Sequence, residues 1–65
     1  MIIMIKLYDK IKLKNGKYAI IVEILEIQKA FIADIEVSEG DYETETVFID
    51  EIAALMVEIE QSIAV

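Results

Sequence analysis

Short runs in which apolar and polar residues alternate dominate the chain, and a period of two is typical of strands with one buried face. Over residues 9–14, the apolar Ile11 and Leu13 alternate with three lysines. Residues 2–7 are mostly apolar and precede this run directly. We therefore predict a first strand that starts within residues 2–7 and continues through residues 9–14.

The pair Asn15-Gly16 follows this strand. Both residue types tolerate the positive φ that a type I′ turn requires at its two central positions, and such a turn matches the twist of the strands it joins. We predict a tight hairpin here, with a second strand over residues 17–28. This strand is apolar on both sides as far as Leu25, as expected of a strand that bends between two sheets of a small barrel.

The middle of the chain predicts a further hairpin. Residues 30–37 alternate apolar with acidic positions and are predicted to form the third strand, in which Phe31 and Ile35 share a side with two smaller apolar residues. The composition of residues 38–41, Ser-Glu-Gly-Asp, indicates a turn. Residues 42–48 follow as a fourth strand.

The C-terminal pattern fits two structures. A helical stripe with Asp50 as N-cap would contain Ile52, Leu55, Met56, Ile59 and Ile63, whereas a period of two would contain Val57, Ile59, Ile63 and Val65. We favour one helical turn near residues 50–54, followed by a short closing strand, with a short helix as the alternative for this last segment.

These elements predict a mainly β fold, a small SH3-like barrel of about five strands, forming one domain over residues 1–65. The segment "YDKIKLKNGKYAIIVEI", residues 8–24, resembles the opening of KOW-type SH3-like modules. The pieces "NGKYAIIVEIL" and "AFIADIE" are similar to short bacterial proteins known only as domains of unknown function. The resemblance spans residues 8–51 and rests on core and turn positions. It implies the barrel fold, while Ala19 stands where many KOW modules have glycine and the chain lacks the arginines of many nucleic-acid-binding relatives.

Composition narrows the chemistry. Cysteine and histidine are absent, so the chain has no disulfide, no thiolate or imidazole metal ligand and no imidazole base. We expect no catalytic residue, no metal site and no cofactor, and therefore no enzyme. The longest apolar run, residues 52–57, is too short to span a bilayer, which needs about 18 residues. We expect a soluble, cytoplasmic protein that does not bind membranes.

Two groups of acidic residues have spacings that occur in metal or catalytic sites. The side chains of Asp34, Glu36, Ser38 and Glu45 have the spacing of EF-hand ligands, but the turn glycine lies one position too late and the flanks predict strands. Glu43 and Glu45 share a strand face, an arrangement that suits acid–base chemistry if one carboxyl group is buried. We favour a solvated acidic turn for the first group and solvated carboxylates for the second.

Charge is divided unequally along a chain whose net charge is -7. Residues 1–17 hold five of the six lysines and one aspartate, whereas residues 18–65 hold the other twelve carboxylates. Lys10, Lys12 and Lys14 are predicted to project from one side of a strand, with Lys17, Tyr8 and Tyr18 nearby. Such a surface suits RNA or DNA binding through phosphate contacts and base stacking, but most of the molecule would repel a polyanion. We favour the interpretation that these lysines keep the strand soluble, and we expect no nucleic-acid partner.

Acidic residues supply the other candidate surface. Asp41, Glu43 and Glu45, preceded by Asp34 and Glu36, suit a basic protein partner, because complementary charge speeds association. An acidic inhibitor or immunity-type protein that blocks a basic nucleic-acid-binding protein would have this character. The broader prediction is a protein-interaction module whose partner the sequence does not identify.

The apolar content of 57% exceeds the roughly 45–50% of ordinary domains, and a 65-residue domain has little interior in which to bury it. Self-association through the two apolar ends is therefore expected. The predicted contact residues of a homodimer, little affected by salt, are Ile2, Ile3, Met4, Met56, Ile59 and Ile63.

Overall fold

The computed structural model describes residues 4–56, which contain five strands and one short helix. The strands are β1 (Lys10–Leu13), β2 (Tyr18–Glu26), β3 (Ala30–Ser38), β4 (Asp41–Phe48) and β5 (Ile52–Met56). A 3-10 helix, Ile49–Glu51, joins β4 to β5. All neighbouring strands are antiparallel in a single sheet of order β4-β3-β2-β1-β5, so β2 is the central strand.

The mainly β fold with five strands is confirmed. The described strands form an open sheet with β4 and β5 at its edges, so they do not close into the predicted barrel. The helical turn lies at Ile49–Glu51, slightly before the predicted position, and the segment after it is a strand as far as Met56. Residues 57–65 lie outside the described part. Among residues 4–56, no helix is long and apolar enough to cross a membrane.

The predicted start of the first strand is wrong for residues 4–9, while residues 2 and 3 lie outside the described part. A turn interrupts the chain, because the Asp9 N–H donates to the Lys6 carbonyl at 3.1 Å and the Lys6 N–H donates to Asp9 Oδ2 at 2.8 Å. Tyr8 takes a φ of 69° within this turn. The apolar Ile5 is nevertheless buried, and its N–H donates to Gln28 Oε1 at 2.9 Å.

The β1–β2 hairpin is present, but its turn is not type I′. The Gly16 N–H donates to the Leu13 carbonyl at 2.9 Å, and the Leu13 N–H donates to the Lys17 carbonyl at 2.8 Å. Gly16 has a φ of 92°, whereas Asn15 is not among the residues with positive φ. This is the pattern of a three-residue loop, a β-turn followed by one left-handed residue. Asn15 contributes differently, since its Oδ1 accepts the Lys17 N–H at 2.9 Å.

Register shifts explain two ambiguous apolar patterns. In β5, Ile52 pairs with Leu13 and Leu55 pairs with Ile11, so one extra residue lies between them in β5. This bulge puts two residues with helical spacing on the same face of a strand. Similar shifts in β2, between Ile21 and Glu23 and between Ile24 and Glu26, account for the apolar residues at both odd and even positions.

One face of the sheet carries the core. Its fully buried centre consists of Ile11, Ile21, Phe31 and Val47, surrounded by Ile5, Leu13, Ala19, Ala33 and Ile35. Ile52 and Leu55 of β5 pack against this cluster. Because side chains alternate along each strand, the residues between these core positions point to the opposite face.

Candidate functional site

The opposite face of the sheet, which we call the outer face, is built from residues that the register aligns in two cross-strand rows. The first row crosses all five strands in the order Met56, Lys10, Ile20, Asp34 and Thr44. In the second row, Lys12 lies between Ala54 and Tyr18, and Glu36 pairs with Tyr42. The pairing of Ala19 with Ile35 places Glu36 next to Tyr18. Within these two rows the outer face has lysines on β1, apolar residues on β2 and carboxylates on β3, whereas the next row pairs Glu23 of β2 with Ile32 of β3.

The centre of the outer face is aromatic and aliphatic. Tyr18 and Ile20 on β2 are half-buried, and the ammonium groups of both flanking lysines lie over the Tyr18 ring. The distances from Nζ to the ring centroid are 5.3 Å for Lys10 and 5.8 Å for Lys12, within the range of cation–π contacts. The lysines of β1 are thereby held along one side of β2.

The acidic side of the outer face is formed by β3 with β4. The hydroxyl group of Thr44 donates a hydrogen bond to Asp34 Oδ1, which fixes this carboxylate on the strand. Tyr42 remains 57% exposed beside Glu36. A carboxylate and an exposed phenol thus mark this side of β2.

In the described part of the chain, two hollows that share Lys10 and Ile20 open on the outer face. The larger, about 490 Å³, is lined by Lys6, Tyr8, Asp9, Lys10, Ile20, Leu55 and Met56. The smaller, about 70 Å³, lies between Tyr18 and Tyr42. These hollows bring Tyr8, from the turn before β1, and Met56, from β5, to the same surface. All three tyrosines of the chain therefore border the outer face.

The predicted lysine surface is present in part. Lys10 and Lys12 lie on the outer face with Tyr18, as the alternation predicts, and Tyr8 is close to Lys10. Lys14 and Lys17 lie in the exposed hairpin loop, outside the strand ladder. The Gly16 N–H donates to the Leu13 carbonyl and closes the loop after Leu13. The alternation of β1 therefore does not extend to residue 14.

The predicted acidic surface is divided between the two faces of the sheet. Glu43 and Glu45 pair with Ile35 and Ala33 and thus point to the core side, where edge strand β4 leaves them exposed. Asp34 and Glu36 point the other way. The Asp41 carboxylate accepts a hydrogen bond from the Ser38 hydroxyl at 2.8 Å. The EF-hand spacing therefore does not correspond to a set of converging ligands, since its carboxylates lie on strands and on opposite faces.

The predicted self-association residues are only partly described. Met4 is 52% exposed, and Met56 is 39% exposed on the outer face beside Lys10. Ile2, Ile3, Ile59 and Ile63 lie outside the described residues. The apolar contact predicted between the two ends of the chain therefore stays a prediction.

Sequence reasoning missed Ile20, Tyr42 and the position of Asp34 and Glu36 on the same face as the lysines. A hairpin register fixes which residues of adjacent strands share a face, and the observed three-residue loop shifts the β1–β2 register by one residue relative to the predicted type I′ turn. The predicted turn therefore did not place the lysines beside Tyr18 and Ile20.

Comparisons of the chain with protein-family models, with curated proteins and with solved structures found no match. The resemblance to KOW-type modules stays a prediction.

Proposed function

We propose that this protein is a non-enzymatic protein-interaction module and that the outer face is its docking surface. The observation that carries the proposal is the accessible set of aromatic and aliphatic side chains on the face opposite the core. Tyr8 and Tyr42 are 73% and 57% exposed, and Met56 borders the same surface. Tyrosine and methionine are enriched where proteins meet, since each offers a large apolar area.

The mixture of charges favours a protein partner over a nucleic acid. Lysines on β1 and carboxylates on β3 lie about two strand spacings apart, or roughly 10 Å, on one surface. A phosphate backbone attracted by Lys10 and Lys12 would meet Asp34 and Glu36 on the same face. A protein surface can present both signs of charge, so it can complement both sides of β2.

The backbone at Tyr8 supports a role for its side chain beyond stability. A φ of 69° is rare for a residue with a large side chain and costs of order 1–3 kcal/mol. Glycine or asparagine would fit this turn with less strain. The exposed phenol ring beside Lys10 and Ile20 gives a physical reason for a tyrosine at this position, namely contact with a partner.

A second candidate function, nucleic-acid binding, is favoured by one specific observation. The ammonium groups of Lys10 and Lys12 lie over Tyr18, so positive charge and a stacking ring occur together. The acidic-inhibitor alternative would instead use the exposed carboxylates of β4. The acidic-inhibitor alternative can be separated by substitution on β4. Nucleic-acid binding shares Lys10, Lys12 and Tyr18 with the outer face, so it is separated by a direct binding measurement with oligonucleotides.

An affinity pull-down from native cell extract, quantified by mass spectrometry, tests the proposed function. The outer-face variant combines Tyr18→Ser with Tyr42→Ser, and a matched control combines Leu25→Ser with Ile27→Ser, two exposed apolar residues near the β2–β3 turn. Circular dichroism verifies folding of both variants. We expect proteins retained by the wild type and by the control to be lost from the outer-face variant. Equal recovery with both variants would contradict the proposal.

A third bait separates the inhibitor alternative. Glu43→Gln with Glu45→Gln removes two carboxylates from β4 and leaves the outer face unchanged. We expect this bait to retain the same proteins as the wild type. Loss of a basic partner from this bait alone would show that the partner binds the carboxylates of β4 and not the outer face.

A further inference from the structure

We propose that the outer face binds a second copy of this chain, face to face, about a two-fold axis that runs parallel to β2. The inference rests on the proposed protein-binding function and names the partner. It also replaces contact through the chain ends as the main interface, although Met56 belongs to both.

The charges of the outer face lie on opposite sides of its central strand. In the first row, Lys10 of β1 pairs with Ile20 of β2, and Ile20 pairs with Asp34 of β3. The second row repeats this order with Lys12, Tyr18 and Glu36. Each row therefore reads basic, apolar, acidic across the sheet.

A two-fold axis that is parallel to β2 and midway between two facing sheets exchanges the β1 side with the β3 side of β2. It preserves the position of each residue along the strand. It therefore places β1 of one copy opposite β3 of the other. Lys10 meets Asp34 of the second copy because both belong to the same row, and Lys12 meets Glu36 for the same reason. Ile20 and Tyr18 meet their own counterparts. A single symmetry operation thus satisfies both rows.

The alternative axis, perpendicular to the strands, is excluded by charge. It would place β1 opposite β1 and β3 opposite β3, so that lysines face lysines and carboxylates face carboxylates. Like charges in juxtaposition are unfavourable at an interface. The charge pattern therefore selects one orientation, and because the contact is the same on both copies, the assembly closes as a dimer.

The charged groups of the outer face are available for contacts between copies. Within residues 4–56 an ion pair joins Lys29 to Glu26, near the β2–β3 turn and away from these rows. Lys10 and Lys12 contact the Tyr18 ring, and Asp34 accepts one hydroxyl hydrogen bond. Facing sheets lie about 10 Å apart, a gap that a lysine and an opposing carboxylate can span together.

Apolar contact and charge have separate roles in this interface. Ile20 and Tyr18 lie on the central strand, so they occupy the centre of the contact, where aromatic residues contribute most to affinity. The flanking charges set the orientation and speed association. A dimer with this arrangement depends on charge sign at β1 and β3 and on apolar area at β2.

Sedimentation equilibrium of the full chain over about 10–100 μM tests the proposal. We expect the wild type to dimerise. In the variant Lys10→Glu with Lys12→Glu, all four pairs become repulsive, and we expect Kd to rise about tenfold or more. The matched control, Lys14→Glu with Lys17→Glu, makes the same change in net charge within the hairpin loop and should leave Kd unchanged.

The decisive experiment exchanges the charges of β1 and β3 and asks whether the dimer is restored. The chain that combines the β1 reversal with Asp34→Lys and Glu36→Lys keeps opposite charges facing across the two-fold axis, and we expect it to dimerise within about threefold of the wild type. If the loss of the Thr44–Asp34 hydrogen bond unfolds this variant, Lys12→Glu with Glu36→Lys makes the same test on one row. In that pair, each single substitution should weaken the dimer and the double substitution should restore it.

A wild type that is monomeric over the whole range, a control that weakens the dimer as much as the β1 reversal, or charge exchange without recovery would overturn this dimer. The pull-down described above is independent of these results, because loss of a different protein from the outer-face variant would uphold the docking function while the dimer fails.

Discussion

At the residue scale, a few positions in the turns have a positive φ, a backbone conformation that favours glycine. Gly16 adopts a φ of 92°, and a Cβ built there would have no atom within 4 Å, so the requirement is conformational and not spatial. Tyr8 and Gln28 adopt the same region with side chains, which is uncommon for residues other than glycine and asparagine. Gln28 has an evident structural role, because its Oε1 accepts the Ile5 N–H.

Gly16→Val tests the hairpin loop. A β-branched residue is strained at positive φ, so we expect the free energy of unfolding to fall by about 1–2 kcal/mol. Gly16→Asn, which tolerates the left-handed region, should lose less than half of that amount. Chemical denaturation measures both variants. Equal stability of the valine and asparagine variants would be inconsistent with a left-handed residue at this position.

Tyr8→Asn tests strain at the docking surface. Relief of the left-handed conformation should raise the free energy of unfolding by up to about 1 kcal/mol. Tyr42→Asn is the matched control, since Tyr42 is also exposed but lies in β4, where tyrosine is favoured and asparagine is not. We expect opposite signs for the two substitutions in thermal denaturation. A loss of stability at both positions would show that Tyr8 contributes to folding.

At the element scale, alternation predicted the strands well and failed where the ladder is irregular. The third and fourth strands were predicted within one residue of β3 and β4, whereas only residues 10–13 of the predicted first strand form β1. The pattern around Ile52 and Leu55 fitted a helix as well as a strand. A bulge in β5 puts both residues on one face of the strand, and this bulge is visible only from the pairing with β1. The turn at residues 6–9 was missed because apolar residues surround it.

Phe31 provides the element-scale prediction. It is fully buried opposite Val47, so Phe31→Ala should lower the free energy of unfolding by about 3–5 kcal/mol, a large share of the stability of so small a domain. Phe48→Ala is the control, because Phe48 is 52% exposed and should change stability by less than about 0.5–1 kcal/mol. Urea denaturation compares the two, and similar losses would contradict the assignment of the core face.

At the scale of the whole molecule, the sequence indicated which charges exist but not which of them share a face. The lysines of residues 1–17 and the carboxylates of residues 18–65 read as two separate regions. Folding brings Lys10 and Asp34 into one row with Ile20 between them, because β1 and β3 both pair with β2. Long-range register therefore determines the candidate site, and the local pattern of each strand does not.

Nucleic-acid binding is the whole-molecule alternative and has its own prediction. With carboxylates on the same face as the lysines and a net charge of -7, we expect no binding tighter than about 100 μM to single-stranded RNA or DNA at physiological salt. Fluorescence anisotropy with labelled oligonucleotides measures this. Binding at low micromolar protein that is lost in Lys10→Glu with Lys12→Glu, with a linear dependence on salt in a log–log plot, would favour that alternative.

Self-association through the outer face can be followed by the amide resonances of the wild-type protein in a dilution series. Two-dimensional ¹H–¹⁵N spectra recorded between about 20 and 500 μM report, residue by residue, where contact with a second copy occurs. We expect concentration-dependent shifts at Lys10, Lys12, Tyr18, Ile20, Asp34 and Glu36, with Leu25 and Ile27 unchanged. Shifts confined to β4 or to the chain ends, or spectra that do not change with concentration, would contradict a face-to-face dimer.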